Sequence, residues 1–380
     1  MLVQLLVMTI IYIVVIQLVS IKYDILILIN LISLSVLTFL LQIIRGVGKN
    51  KQYSYSSMIA AVVTILLNVL FLVILNKTGE YVLVASFISN LFCIIYLILS
   101  DNVLKYVKIK YFDKRVIKDL LKYSIPMIPN ELSWWIVHVS DRSIISYVLG
   151  VAANGIYSVS CKFSNILSSI FNIFNLSWQE SASLHINDDD RDEFFSNVIN
   201  KVFNLFISIC IGIITCMPFM FKIFIKDTYV DAYNYIPILL LANIFNVLIG
   251  LIGAIYIAKK MTKEVAKTTV LAAIINLATN IVLVKAIGIY AAALSTLIAY
   301  VALAIYRYIA VQKYVKVKLS KKDILINCLV FIVAVILYYN NNIILNTFSL
   351  IMAIAYFIVI NKKILLEGKK IFIKRLRKII

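Results

Sequence analysis

Long apolar runs separated by short polar connectors make up almost the whole chain. Twelve such runs are read from it, covering about 2–21, 25–44, 58–75, 81–100, 123–140, 153–178, 202–225, 235–257, 268–284, 288–309, 324–339 and 343–361. A helix crossing a hydrocarbon core about 30 Å thick needs about 20 apolar residues. A lipid-embedded segment must satisfy its own backbone, so each run predicts an α-helix. The N-terminal run has no basic stretch before it and no small-residue cleavage site after it. It reads as a span and not as a removable signal.

Composition agrees with the pattern. Of 380 residues, 63% are apolar and 14% charged, against about 45–50% and about 25% in soluble domains. Mean hydropathy is +0.98. A soluble two-domain enzyme and a disordered chain are excluded. The net charge of +19 does not argue for nucleic acid, because the basic residues sort by connector. Thirty lie after even-numbered runs or in the tail, and six (Lys22, Lys77, Arg142, Lys222, Lys226 and Lys285) lie on the other side. Such a bias predicts that both termini are cytoplasmic. Lys162, inside the sixth run, is the one basic residue counted with neither side.

An internal repeat emerges from the connectors. Lys105-Tyr106-Val107-Lys108-Ile109-Lys110 is echoed by Lys313-Tyr314-Val315-Lys316-Val317-Lys318. Ala60, Ala61 and Asn68 match Ala272, Ala273 and Asn280, and Gly79 and Tyr81 match Gly288 and Tyr290. The offset spans an even number of runs, so the repeats are parallel, a known transporter design. The expected organisation is an incomplete N-terminal lobe of four spans (1–110), a C-terminal lobe of six (111–318), an appended helix pair (319–361) and a basic amphipathic tail (362–380). The first lobe then lacks two helices, about 85–90 residues before Met1, relative to a fourteen-span two-lobe transporter.

Polar residues inside the spans mark the candidate chemistry. The fifth run opens Tyr123-Ser124-Ile125-Pro126-Met127-Ile128-Pro129, whose prolines loosen the helix start. Glu131, Trp134, Trp135, His138 and Arg142 then share one helical face, flanked by Asp141. The sixth run carries a stripe of Ser158, Lys162, Asn165, Ser169, Asn172 and Asn175. A polar stripe in a membrane helix faces water or another helix, and an ionisable group there is a functional candidate. Lys162 is read as a cavity cation for an anionic substrate, or as the ion-pair partner of Glu131. The acidic run Asn187–Glu193 reads as a solvated connector. The five cysteines lie in apolar runs and read as buried hydrophobes. No cofactor or metal site is expected. The tail from Leu365 interleaves apolar and basic residues, as a helix on the anionic inner leaflet does.

Several segments in order resemble one family. YSIPMIPNELSWW (123–135), SDRSII (140–145), GIYSVSCKF (155–163) and SWQESA (177–182) look like the start of the second lobe of polysaccharide repeat-unit flippases. QIIRGVGKNKQYSYSSMI (42–59) resembles the connector between that family's fourth and fifth spans. These proteins belong to the multidrug/oligosaccharidyl-lipid/polysaccharide exporter superfamily. The resemblance implies an all-α, MATE-like polytopic membrane protein of the bacterial cytoplasmic membrane and no enzyme. Its implied substrate is an undecaprenyl-diphosphate-linked oligosaccharide, moved from inner to outer leaflet for surface polysaccharide synthesis. The implied partners are a polysaccharide polymerase and glycosyltransferases, with anionic lipids at the tail. Lys162 and Arg142 would meet diphosphate or acidic sugars, Asn165 and Asn172 would meet sugar hydroxyls, and Trp134 and Trp135 would add ring contacts. Glu131, Asp141 or His138 would carry a coupling proton or pair with the cations. The alternatives are a drug/cation antiporter of the same superfamily and a membrane polysaccharide polymerase or ligase. A cationic drug favours acidic cavity groups, and a polymerase needs a large outer loop, which this chain lacks.

Overall fold

The computed structural model describes residues 2–18, 23–101, 103–106, 113–340 and 342–376. The described residues are helical almost throughout and contain no strand. The chain divides into two units, 1–114 and 115–380.

The first unit holds α1 (Leu2–Leu18), α2 (Asp24–Gly46), α3 (Asn50–Asn68) and α4 (Tyr81–Asp101). Its core joins Leu37, Leu40 and Ile44 of α2 to Cys93 and Leu97 of α4. Small residues let α3 and α4 approach closely. Ser89 donates to the Ala60 carbonyl (2.7 Å) and Cys93 to the Ser56 carbonyl (3.2 Å). Beyond Asn68 the helix widens into a π-turn, Val69–Ile74. The polar stretch before residue 58, expected as connector, is helical from Asn50.

Pro126 and Pro129 set the entry to the second unit. α5 (Lys114–Ser124) ends there, and α6 (Met127–Leu149) restarts with both prolines at its first turn, where a missing N–H costs least. Then follow α7 (Val151–His185), α8 (Arg191–Phe224), α9 (Ile236–Ala258), α10 (Thr262–Ile287) and α11 (Tyr290–Val311). Fifteen of the 23 residues of α9 are buried and none is exposed, and it packs on α7, α8, α10 and α11. Its apolar run therefore meets protein on most sides. The helices α9, α10 and α11 pack pairwise, as do α2, α3 and α4 in the first unit. The expected repeat aligns these same two sets of helices. The Lys105–Lys110 copy runs out of the described residues after Tyr106, and Lys22 and Lys378 lie outside them.

The pair α12 (Lys321–Tyr338) and α13 (Ile343–Ile360) docks on α8. Asp192, Ser196, Asn200, Asn204 and Ser208 recur every fourth position along α8. The first three work as a strand edge would. Asp192 Oδ1 accepts the Lys316 N–H (3.1 Å), Ser196 Oγ the Lys318 N–H (2.9 Å) and Asn200 Oδ1 the Ser320 N–H (2.9 Å). Asn204 donates to Asp323 (3.0 Å) and accepts from Asn327 (2.9 Å), and Tyr356 donates to Asn327. Ser208 accepts from Asn361 (2.8 Å). The acidic connector is thus not wholly solvated: Arg191 opens α8 and Asp192 is spent on this docking. The tail forms α14 (Lys362–Leu376), tied to α8 by Lys201–Glu367 (3.5 Å). Side chains from 371 onward lie outside the described residues.

Among the described residues, eight helices are long and apolar enough to cross a membrane. The twelve expected spans are not all recovered on that measure, for physical reasons. α6 and α7 carry polar stripes, α12 opens on two lysines and an aspartate, and the described apolar part of α1 is shorter.

Candidate functional site

A cavity of about 600 Å³ opens inside the second unit among α6, α7, α9, α10 and α11. The stripe on α7 supplies one wall: Asn165, Ser168, Ser169, Asn172, Asn175 and Gln179. Their spacing repeats the helical turn, so one face of a 35-residue helix presents amides over several turns. α6 adds Asn130, Glu131, Trp134 and His138, and α9 adds Asn246. Trp134 is held edge-on by Tyr300 (5.6 Å). Amides and hydroxyls that both donate and accept suit a polyhydroxylated ligand. Asn175 Oδ1 is buried without a partner.

Arg307 of α11 closes one end of this cavity, 3% exposed. Its Nε donates to Thr268 Oγ1 (3.1 Å), its Nη2 to Thr269 Oγ1 (2.9 Å) and the Val265 carbonyl (3.1 Å), and its Nη1 to the Ile249 carbonyl (3.4 Å). Thr269 in turn donates to Asn130 Oδ1 (2.7 Å), and Asn130 to Glu131 Oε1 (3.0 Å). Among the described residues no carboxylate forms an ion pair with Arg307. Its charge is carried by neutral oxygens alone, which leaves the cavity end cationic. Gly253 of α9 makes room for it, since a Cβ there would stand 3.2 Å from Nη1. The sequence reading assigned Arg307 to the basic connector after the tenth run. It lay inside that run, flanked by Tyr306 and Tyr308, and that position was the available signal.

A second, smaller cavity of about 60 Å³ lies around Asp141, with His138, Arg142, Tyr157, Asn243 and Thr296 in its lining. Asp141 is 3% exposed. Its Oδ2 accepts from Thr296 (2.7 Å) and Tyr157 (3.0 Å), and its Oδ1 from Asn280 (2.7 Å). Asn276 donates to Ser295 (3.3 Å) and Thr296 (3.2 Å), and Asn280 Oδ1 is buried without a partner. This is an oxygen-rich junction of α6, α7, α10 and α11. Its chemistry is that of a proton-holding or hard-cation-holding carboxylate. No group of three or more His, Cys, Asp or Glu side chains suited to a metal occurs among the described residues.

The sequence placed Asp141 and Arg142 at the outer edge of a span ending at 140. α6 continues to Leu149, so both lie inside it. Glu131, Trp134, His138, Asn165 and Asn172 meet in the larger cavity, and Arg142 and Asp141 in the smaller. Lys162 and Trp135 line neither. Lys162 is exposed, one turn before Asn165 on the same stripe, and Trp135 is 61% exposed. The alternative Glu131–Lys162 ion pair does not form. Measured from the α6–α7 turn, Glu131 lies deeper by seven residues, about 10 Å at about 1.5 Å per residue.

The second unit is thus a helical bundle around a polar cavity, and comparison with known proteins places its fold. Residues 1–178 match the polysaccharide biosynthesis protein family. The fold is that of an outward-facing multidrug resistance MATE-family transporter of the MOP superfamily (TM-score 0.65, 13% identity, 76% of this chain and 68% of that one). It is shared with a Vibrio cholerae MATE transporter (TM-score 0.64, 13% identity, 77% of this chain and 68% of that one). The lipid II flippase MurJ, in an inward closed conformation, matches over 90% of this chain and 74% of its own (TM-score 0.58, 17% identity). No curated protein matches the chain by sequence. The resemblance read from the sequence is thereby borne out, as is the all-α, MATE-like multi-pass membrane fold.

Proposed function

We propose that this protein is a bacterial cytoplasmic-membrane flippase that moves undecaprenyl-diphosphate-linked oligosaccharide repeat units from the inner to the outer leaflet. The observation that carries the reading is the amide-lined cavity ending on Arg307, a buried cation without a carboxylate. Sugar hydroxyls both donate and accept, as Asn165, Asn172 and Asn246 do. A diphosphate is the anion that a buried guanidinium lacks. The family match concerns polysaccharide biosynthesis, and a lipid II flippase shares the fold. Both support a lipid-linked saccharide as the cargo. Trp134 offers a ring to a sugar face. Arg142, Lys162 and Trp135 contribute contacts along the path outside the larger cavity. Asp141 is the coupling group, with Glu131 and His138 beside the path. A glycosyltransferase supplies the cargo and a polymerase consumes it. A cationic drug fits less well, because Arg307 at the cavity end repels it.

The reading is tested in a strain deleted for its own repeat-unit flippase. The wild-type chain is expected to restore surface polymer, and Asn172→Leu to lower it at least fivefold at unchanged membrane level. Full export by Lys162→Ala removes that residue from the path. Purified protein that joins glycan units would replace the flippase by a polymerase.

A further inference from the structure

Outside this cavity, α5 is the one described helix with every residue from Lys114 to Lys122 exposed. Its side chains nevertheless sort strictly. At about 100° per residue, Lys114, Arg115, Lys118, Asp119 and Lys122 fall within one arc of about 140°, and Val116, Ile117, Leu120 and Leu121 within the opposite one. Those four apolar side chains are 37–58% exposed. Such a helix is short of an apolar partner. It sits at the side where the basic connectors gather, level with the ends of α7 and α9. Between α5 and those ends lies a cavity of about 920 Å³. Val116 and Leu120 line it with Ile186, Ile257 and Ala258, and its charged lining is Lys122, Lys260 and Asp119, two cations to one carboxylate.

We infer that α5 lies in the plane of the inner leaflet and that the cavity beneath it seats an anionic phospholipid, its headgroup between Lys122 and Lys260. Charge selects this occupant. An in-plane helix with one apolar and one basic face binds anionic lipid through both, and each Lys near an anionic surface adds about 1 kcal/mol. The apolar walls take acyl chain and the two ammonium groups take phosphate. This site borders the substrate cavity, with Ile257 in the lining of both, and its lipid binding stands whether or not the flippase reading does.

The test uses the full-length protein. Native mass spectrometry is run with phosphatidylglycerol or phosphatidylcholine of identical chains. One tightly held phosphatidylglycerol is expected, its affinity lowered at least fivefold by the double variant K122Q/K260Q and unchanged by Lys313→Gln. In vesicles, Leu121→Trp is expected to be quenched by brominated phosphatidylglycerol beyond the parent protein, and Lys118→Trp not. Equal binding of the two lipids overturns the proposal, as does a double variant that keeps its affinity. Displacement of the lipid by millimolar glycerol phosphate shows a site for the free anion only, and an unquenched Leu121→Trp shows an apolar face packed on protein. Both also overturn it.

Discussion

Arg307 shows how a single residue acquires meaning from its surroundings. In the sequence it is one more basic residue near the end of a run. In the fold, four neutral oxygens from α9 and α10 hold its guanidinium at the cavity end. Only a planar fork meets hydroxyls and carbonyls on two helices at once, so Arg307→Lys keeps the charge and loses the geometry. Export is expected to fall at least tenfold in the complementation assay, while the variant still reaches the membrane. Gly253→Ala and Gly250→Ala test the space around it. A Cβ at Gly250 would lie 2.5 Å from the Phe171 ring. Overpacking of this kind costs about 1–3 kcal/mol, and Gly250→Ala is expected to lower the melting temperature in detergent more than Gly253→Ala. Asp141→Asn replaces one acceptor oxygen by a donor that faces the Asn280 amide. Transport driven by an ion gradient is expected to be lost while counterflow exchange survives. Loss of both would make Asp141 a structural group. Asp141 was legible as a carboxylate inside SDRSII. Its donors, Asn280 and Thr296, are more than a hundred positions away, and no local pattern connects them to it.

At the scale of elements, periodicity told most where a stripe interrupts an apolar helix. The α7 stripe was visible because amides inside a span must meet water, a ligand or another polar group, and it lines the cavity. The α8 stripe was equally regular, at every fourth residue from Asp192 to Ser208, yet it does different work. It hydrogen-bonds the backbone of 316–320 and the side chains of α12 and α13. The difference lies in the partner. Polar side chains facing free backbone groups become structure, whereas those facing a void become a site. Asn200→Leu removes a donor to the Lys318 carbonyl and an acceptor for the Ser320 N–H. Lys318 is exposed, so water replaces part of what is lost and the effect is local fraying of this segment. Faster trypsin cleavage after Lys316 and Lys318 is expected in inside-out vesicles, with the α2–α4 fragment unaffected. Unchanged cleavage would mean that the segment is held by other contacts.

Across the whole molecule, the lopsided basic residues predict orientation, and the prediction is checked from outside the cell. A cysteine placed at Asn342, in the turn between α12 and α13, is expected to react with an impermeant maleimide in intact cells, and one at Lys260 only after permeabilisation. The reverse pattern would invert the molecule. The sequence by itself determined that this chain is a membrane-embedded, all-helical protein. Hydrophobic length, backbone satisfaction in lipid and charge asymmetry are properties of contiguous residues, and contiguity is what a sequence records. The tertiary structure alone decided which polar residues act together. Arg307 with Thr268 and Thr269 and Asp141 with Asn280 and Thr296 meet only because α6, α10 and α11 pack together, and Asp192 meets Lys316 only because the segment after α11 folds back along α8. A buried charge takes its function from the dipoles that surround it, and those are brought there by packing.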